Sequence, residues 1–219
     1  RDAKELTDAF TNALSSTSER ELREAGVATA ATILEEGNRK YVPLYRTSAW
    51  NGDIQALSLD SNGVAGAVQW TAEGKLPVWN SRNIVTWDPS TSRAISFTWS
   101  ALSASSRSAL GTITASFTTT FVNFLRGERA NEGAALSFRV RDGVLGDFIN
   151  SNPVFVQGGL DNGYANLPSI GASYPAFLTA KAARTGVLFV GANDGMLHGF
   201  KDTKTGAATD GAEVFAYVP

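Results

Sequence analysis

A chain of 219 residues with 21 Gly, 10% aromatic and 18% charged residues has the balance of turn-rich β structure, not of a helical bundle. Its formal charge of −2 excludes a global basic field for nucleic acid or an anionic membrane, and no run of about 18 apolar residues is present to span a bilayer. With no Cys and a single His, His198, the sequence excludes disulfides, thiolate nucleophiles and sites needing two imidazole ligands.

In chain order, Asp2 with Glu5 forms a capping box, and Leu6, Phe10, Ala13 and Leu14 fall on one helical face. Glu19–Gly26 continues or restarts that helix, with Gly26 as its stop. Residues 1–26 are therefore read as a helix or linker from a preceding N-terminal region. From Val27 the texture turns to strand. Ala28–Leu34 and Lys40–Arg46 are predicted strands joined through Glu35–Gly37–Asn38. A turn follows at Trp50–Asn51–Gly52–Asp53, then the alternation Ile54, Ala56, Leu57, Leu59, a turn at Asp60–Ser61–Asn62–Gly63 and a strand at Ala67–Trp70. These strands make a first meander.

Further on, Ile84–Trp87 and Ala94–Trp99 are β-like around the turn Asp88–Thr91. Ala101–Leu110 is a candidate short helix. Phe117, Phe121, Phe124 and Leu125 recur at helical spacing, and Arg126–Gly127 ends that helix. β texture resumes at Phe138–Val140 and Val144–Phe148 around Asp142–Gly143, followed by the apolar run Pro153–Val156. Gln157–Pro168 has the composition of an exposed loop. Ser173–Ala183 is a candidate helix with Tyr174, Phe177 and Leu178 facing inward.

The clearest stretch is Val187–Phe200, in which VLFV enters a turn, Gly191–Ala192–Asn193–Asp194–Gly195, and returns as MLHGF. A D-x-x-T-G turn at Asp202–Gly206 leads to a third β run, Val214–Val218. Strand, tight turn, strand, turn, strand is how one blade of a β-propeller is written. The expected class is mostly β: residues 27–219 form the N-terminal part of a β-propeller domain, with helical insertions near 101–127 and 173–183. The chain starts without Met and reaches Pro219 with a blade pattern under way, so it is read as a piece of something longer. Alone, its open sheet edges are expected to make it prone to aggregation, or stable only with the missing blades bound.

Four motifs in order, AWNGDIQALSL (49–59), VNFLRGE (122–128), LGDFINSNPVFV (145–156) and GANDGMLHGF (191–200), resemble the PilY/PilC family of type IV pilus tip-associated adhesins. The resemblance covers roughly Tyr41 to Pro219. It implies a quinoprotein-like propeller, export to the cell surface at the pilus tip, and roles in pilus assembly, adhesion and twitching motility. Minor pilins are the implied partners, alongside an unidentified host or abiotic surface. The family-signature residues carried over are Trp50, Gly52, Asp53, Arg126, Gly127, Gly146, Asp147, Pro153, Gly191, Asn193, Asp194, Gly195 and His198, and each is given a structural role. The family's calcium loop has no match here. Asp60–Gly63 brings its Gly too early, so no cofactor or metal is expected within the segment, and any calcium loop is expected beyond Pro219.

Chemistry is weighed residue by residue. Asn193 and Asp194 either bind an ion or a sugar or, as the favoured reading, bond their own backbone to close the hairpin. His198 with Asp194 lacks a positioned nucleophile and is read as a hydrogen-bonded histidine between blades. Five Trp (50, 70, 79, 87, 99) are read mainly as core, with sugar stacking as the alternative. Arg126, Arg129, Arg139 and Arg141 are read as a solvated face balanced by Glu128, Glu132 and Asp142. The D-x-x-T-G turn resembles that of quinoprotein dehydrogenase blades without the Trp that follows it. The segment is therefore expected to bind and assemble, not to catalyse. A quinoprotein-like dehydrogenase and a carbohydrate-binding propeller stand as alternatives.

Overall fold

A computed structural model describes residues 22–24, 28–29, 38–47, 49–111, 119–133, 138–159, 161, 163–169 and 171–219. Most of the predicted N-terminal helix, residues 30–37 with their predicted turn, and Phe117 lie outside this set. Two sheets carry the fold. The first contains β1 (Leu22–Glu24), β2 (Ala28–Thr29), β3 (Arg39–Arg46), β4 (Asn51–Leu59) and β5 (Ala65–Thr71). β1 and β2 both pair antiparallel with the same edge of β3, so the sheet is four strands deep, β3–β4–β5 with β1 and β2 end to end.

The helix predicted through Glu19–Gly26 is corrected at Leu22–Glu24, which is strand paired to Leu44–Arg46. The predicted turn at Trp50–Asp53 is shorter than expected. Trp50 alone takes a left-handed φ of 51°, and Asn51 already pairs with Arg46 in β4. At the other end of β4 the Asp60 carboxylate accepts from the amides of Asn62 and Val64, closing that turn as expected.

The second sheet has six strands in the order β7–β6–β11–β10–β9–β8. Its antiparallel meander runs β8 (Val154–Val156), β9 (Val187–Gly191), β10 (Leu197–Lys201), β11 (Glu213–Val218). The three predicted strands of the blade are thus joined by a fourth, the apolar run after Pro153. The hairpin β6 (Ile84–Asp88) and β7 (Arg93–Ser96) adds to the outer edge through a parallel pairing with β11.

Between the strands lie α1 (Ala72–Lys75), α2 (Ala104–Gly111), α3 (Thr119–Arg126) and α4 (Tyr174–Lys181). Gly127, at φ 112°, ends α3, a conformation a side chain would strain. The β texture expected at Phe138–Val140 and Val144–Phe148 is not realised as strands. It is reduced to isolated bridges, Glu132 to Phe138 and Asn51 to Gly146. Phe177 of α4 is half exposed, not inward, whereas Tyr174 is buried.

The main core lies between the sheets. Tyr41, Ile54, Ala56 and Trp70 of the first meet Leu188, Val190 and Phe200 of the second, with Leu145 and Phe148 closing one end. Full burial of each large side chain contributes about 2 kcal/mol. A second core sets Val122 of α3, Phe97, Leu102 and Met196 against Ile84 and Ala216. Among the five Trp only Trp70 is core; Trp50 and Trp87 are exposed and Trp79 and Trp99 half-buried.

Candidate functional site

The β9–β10 turn and β10 place the segment's one imidazole at the centre of a buried charge network. His198 Nδ1 lies 2.8 Å from Glu213 Oε1, and Nε2 lies 3.1 Å from Asp194 Oδ2. A register shift between Gly199 and Phe200 admits an extra residue on β11, bringing Glu213 to the inner face beside His198. Arg82, just before β6, grips the same carboxylate with two donors at 2.7 and 2.8 Å. The imidazole stacks on Phe200 and meets the edge of Phe148.

Burial alone would lower the His198 pKa. The hydrogen bonds and charges of Asp194 and Glu213 outweigh that and raise it to about 9. Burial pushes the two carboxylates up, but His198 pulls Asp194 below its ordinary value, and Arg82 with His198 does the same for Glu213. Asp194, His198, Glu213 and Arg82 thus form an alternating set of charges with no net charge at neutral pH. An imidazolium with both nitrogens donated is a strut; a general base needs a free lone pair near the working pH. Its partners come from one sheet and its turn, so the expected bridge between blades is corrected to a bridge within one.

The signature stretch Leu145–Phe148 is clamped on two sides. Gly146 N donates to Asp194 Oδ2 at 3.1 Å, and Asn193 donates through its side chain to Asp147 Oδ1 and through its backbone to Asp147 O. On the other side Gly52 N donates to Leu145 O, and a Cβ on Gly52 would stand 2.6 Å from Gly146 O. Asn193 and Asp194 therefore do more than close their own hairpin. The bonds from Met196 N and His198 to Asp194 are local; those to Gly146 and Asp147 reach residues 48 and 46 positions earlier. Asp53 accepts from Ile54 N and from Glu73 N, holding α1 at the start of β4. Three of the four sequence motifs meet here, with Gly191 and Gly195 shaping the turn and Pro153 leading into β8.

The fourth motif acts elsewhere. Arg126 donates to the carbonyls of Phe97, Arg82 and Trp79 at 3.1, 2.9 and 3.3 Å, and Arg82 donates back to Arg126 O at 2.8 Å. Arg141 is buried against Glu132 at 2.7 Å. The reading of these arginines as a solvated face is overturned for Arg126 and Arg141, whose guanidinium groups order loops from inside. The Glu132 counter-charge is as expected, and Arg129 shares it.

One cluster escaped the sequence reading. Asp202, first residue of the D-x-x-T-G turn, is fully buried and accepts from Tyr41 Oη at 3.0 Å and Trp70 Nε1 at 3.1 Å, with Arg39 Nε at 3.8 Å. Burial, and then Asp202, push the Tyr41 pKa far up, fixing it as a donor. The Trp70 ring of the first sheet packs on Gly211 beyond this turn, where an added Cβ would stand 2.9 Å from it. The one local signal was an acidic residue directly after β10, at the head of the turn. Among the described residues no three His, Asp or Glu side chains are gathered to hold a metal ion, and no helix is long and apolar enough to cross a membrane.

A four-stranded antiparallel meander packed face to face on a second such sheet, with the turn chemistry above, is the blade architecture of a partial β-propeller. The PilY1 beta-propeller domain matches residues 145–219. The chain is 36% identical over 200 residues to a type IV pilus biogenesis factor PilY1 homolog of Xylella fastidiosa, covering 89% of this chain and 15% of that protein. It is 32% identical over 236 residues to type IV pilus biogenesis factor PilY1 of Pseudomonas aeruginosa strain PAK, covering 98% of this chain and 20% of that protein. No solved structure matches. The chain belongs to the PilY1 family and spans about a fifth or less of the length of these relatives.

Proposed function

We propose that this chain is a propeller segment of a type IV pilus biogenesis factor, exported to the cell envelope and surface, that acts at the pilus tip in assembly, adhesion and twitching motility. It does so by binding minor pilins, without catalysis. The observation that carries the pilus reading is the PilY1 propeller match over 145–219, the stretch that contains the clamped signature residues. The non-catalytic reading is supported by the engagement of its reactive groups. His198 is charged and bonded on both nitrogens, and Asp202, where a quinoprotein-like turn would place its acid, is occupied by Tyr41 and Trp70.

The test is genetic and biochemical. An in-frame deletion of 145–219 in the encoding bacterium should abolish surface pili and twitching zones while leaving pilin synthesis intact. The purified protein should retain minor pilins on an affinity resin. Normal piliation in the deletion strain would overturn the pilus reading, and quinone absorbance in purified protein would overturn the non-catalytic one.

A further inference from the structure

At the β3–β4 corner the residue and the backbone are mismatched. Trp50 closes the corner at a left-handed φ of 51°, which glycine and asparagine adopt freely and a bulky side chain only at a cost. Asn51 and Gly52 follow at once, yet neither takes that position. The indole gains no burial in return, since Trp50 is 64% exposed. A single exposed apolar residue is ordinary on a protein surface. One that is also strained, with residues better suited to the turn beside it, points to function, because strain of this kind collects at binding and active sites.

The base of the indole is fixed. Trp50 N donates to Arg46 O at 3.0 Å, Gly52 N donates to Leu145 O at 3.2 Å, and Asn51 bridges Gly146. Gly146 is held in turn by Asp194 of the β9–β10 turn, so the two hairpin corners lie at the same end of their sheets. Sheets pack through their faces, and an end built of corners and loops is where a binding surface sits. Arg139 reaches this end, its Nη1 donating to Ala49 O at 3.3 Å. It is exposed, and among the described residues it has no carboxylate partner, unlike Arg82, Arg129 and Arg141.

We propose that Trp50 and Arg139 anchor a protein-docking surface at this end, whose occupant is a partner offering an apolar pocket edged by carboxylates. The inference rests on the pilus reading above, on which that partner is a minor pilin. Trp and Arg are the side chains that most often dominate binding energy at protein interfaces. A fixed backbone lowers the entropy lost when the indole docks, and an unpaired cation beside it selects an acidic rim. A sugar stacked on the indole needs polar side chains around it for its hydroxyls, and the adjacent amide, Asn51, is buried.

The test measures the Kd of the complete reading-frame product for immobilised minor pilins of the same bacterium. Trp50→Asn suits the left-handed corner and removes the ring, so Tm should hold or rise while Kd weakens about tenfold or more. Arg139→Gln keeps a donor for Ala49 O and loses the charge; Kd should weaken about threefold or more and depend less on salt. Equal binding by parent and variants would overturn the proposal and leave the pilus reading standing. Pilins that bind none of the three proteins would overturn both. A clear fall in Tm with Trp50→Asn would make the indole a structural part and overturn its role as anchor. Glycan binding that Trp50→Asn abolishes, with pilin binding intact, would replace the protein partner by a sugar.

Discussion

Tyr41 Oη donates to Asp202 Oδ2 across 3.0 Å, joining strands of two sheets at residues 161 positions apart. The same carboxylate takes the Trp70 indole and faces Arg39. Removing it leaves several buried donors without an acceptor; removing one donor does not. Asp202→Ala should therefore cost about 3 kcal/mol or more and Tyr41→Phe about 1 kcal/mol. Urea unfolding of the two variants decides this, and equal losses would refute Asp202 as the junction's acceptor.

The His198 network predicts a pH dependence of stability. Its folded pKa of about 9 lies above the ordinary 6.5, so its contribution is complete below pH 6.5 and is lost as pH rises through 9. The loss is at most about 3 kcal/mol. Asp194 and Glu213, lowered in the fold, contribute above the usual carboxylate range, and that contribution is lost as pH falls through their folded values. Thermal melts should plateau between about pH 5 and 6.5 and decline toward pH 9. His198→Gln should flatten the alkaline decline. A parent protein with Tm constant from pH 6.5 to 9 would contradict the charged imidazole.

Close approach of backbones sets a third prediction. A Cβ on Gly146 would stand 2.4 Å from Asp194 N and 3.1 Å from Asn193 C, and neither atom belongs to a side chain that can move aside. Gly146→Ala should destabilise by about 2 kcal/mol or more, whereas Gly159→Ala, with nothing within 4 Å, should stay within about 0.5 kcal/mol. Calorimetric melts of the pair give the comparison.

Arg126 bonds three carbonyls through two terminal nitrogens. A lysine keeps the charge and loses the fork. Arg126→Lys should cost about 2 kcal/mol, and hydrogen exchange should rise at Phe97 and Met196, which share the core against α3. Unchanged exchange there would show that charge alone suffices.

Much of the local architecture was legible. The hairpin β9–β10, the Asp202–Gly206 turn and the stop of α3 at Gly127 follow from residues that form their turns with near neighbours. The bias failed where a residue's role depends on distant partners. Arg126 and Arg141 looked solvated because long charged side chains usually are; buried carbonyls and Glu132 reverse that. Phe138–Val140 and Val144–Phe148 carried strand composition without a neighbouring strand to pair with. Trp50, grouped with the core aromatics, is 64% exposed because a left-handed hairpin corner turns it outward.

By itself the sequence determined where most of the tight turns fall and that a strand, turn, strand, turn, strand pattern of propeller-blade type runs from Val187 to Val218. Those are consequences of local φ preference and period-two apolar patterning, both of which act over a few residues. Only the tertiary structure decided that Val154–Val156 is the fourth strand, that β6 joins β11 in parallel, and that Arg82 and Glu213, 131 positions apart, share a buried bond. Such pairings depend on which faces can be buried together and which buried charges can then be satisfied, and no short window of sequence holds both partners.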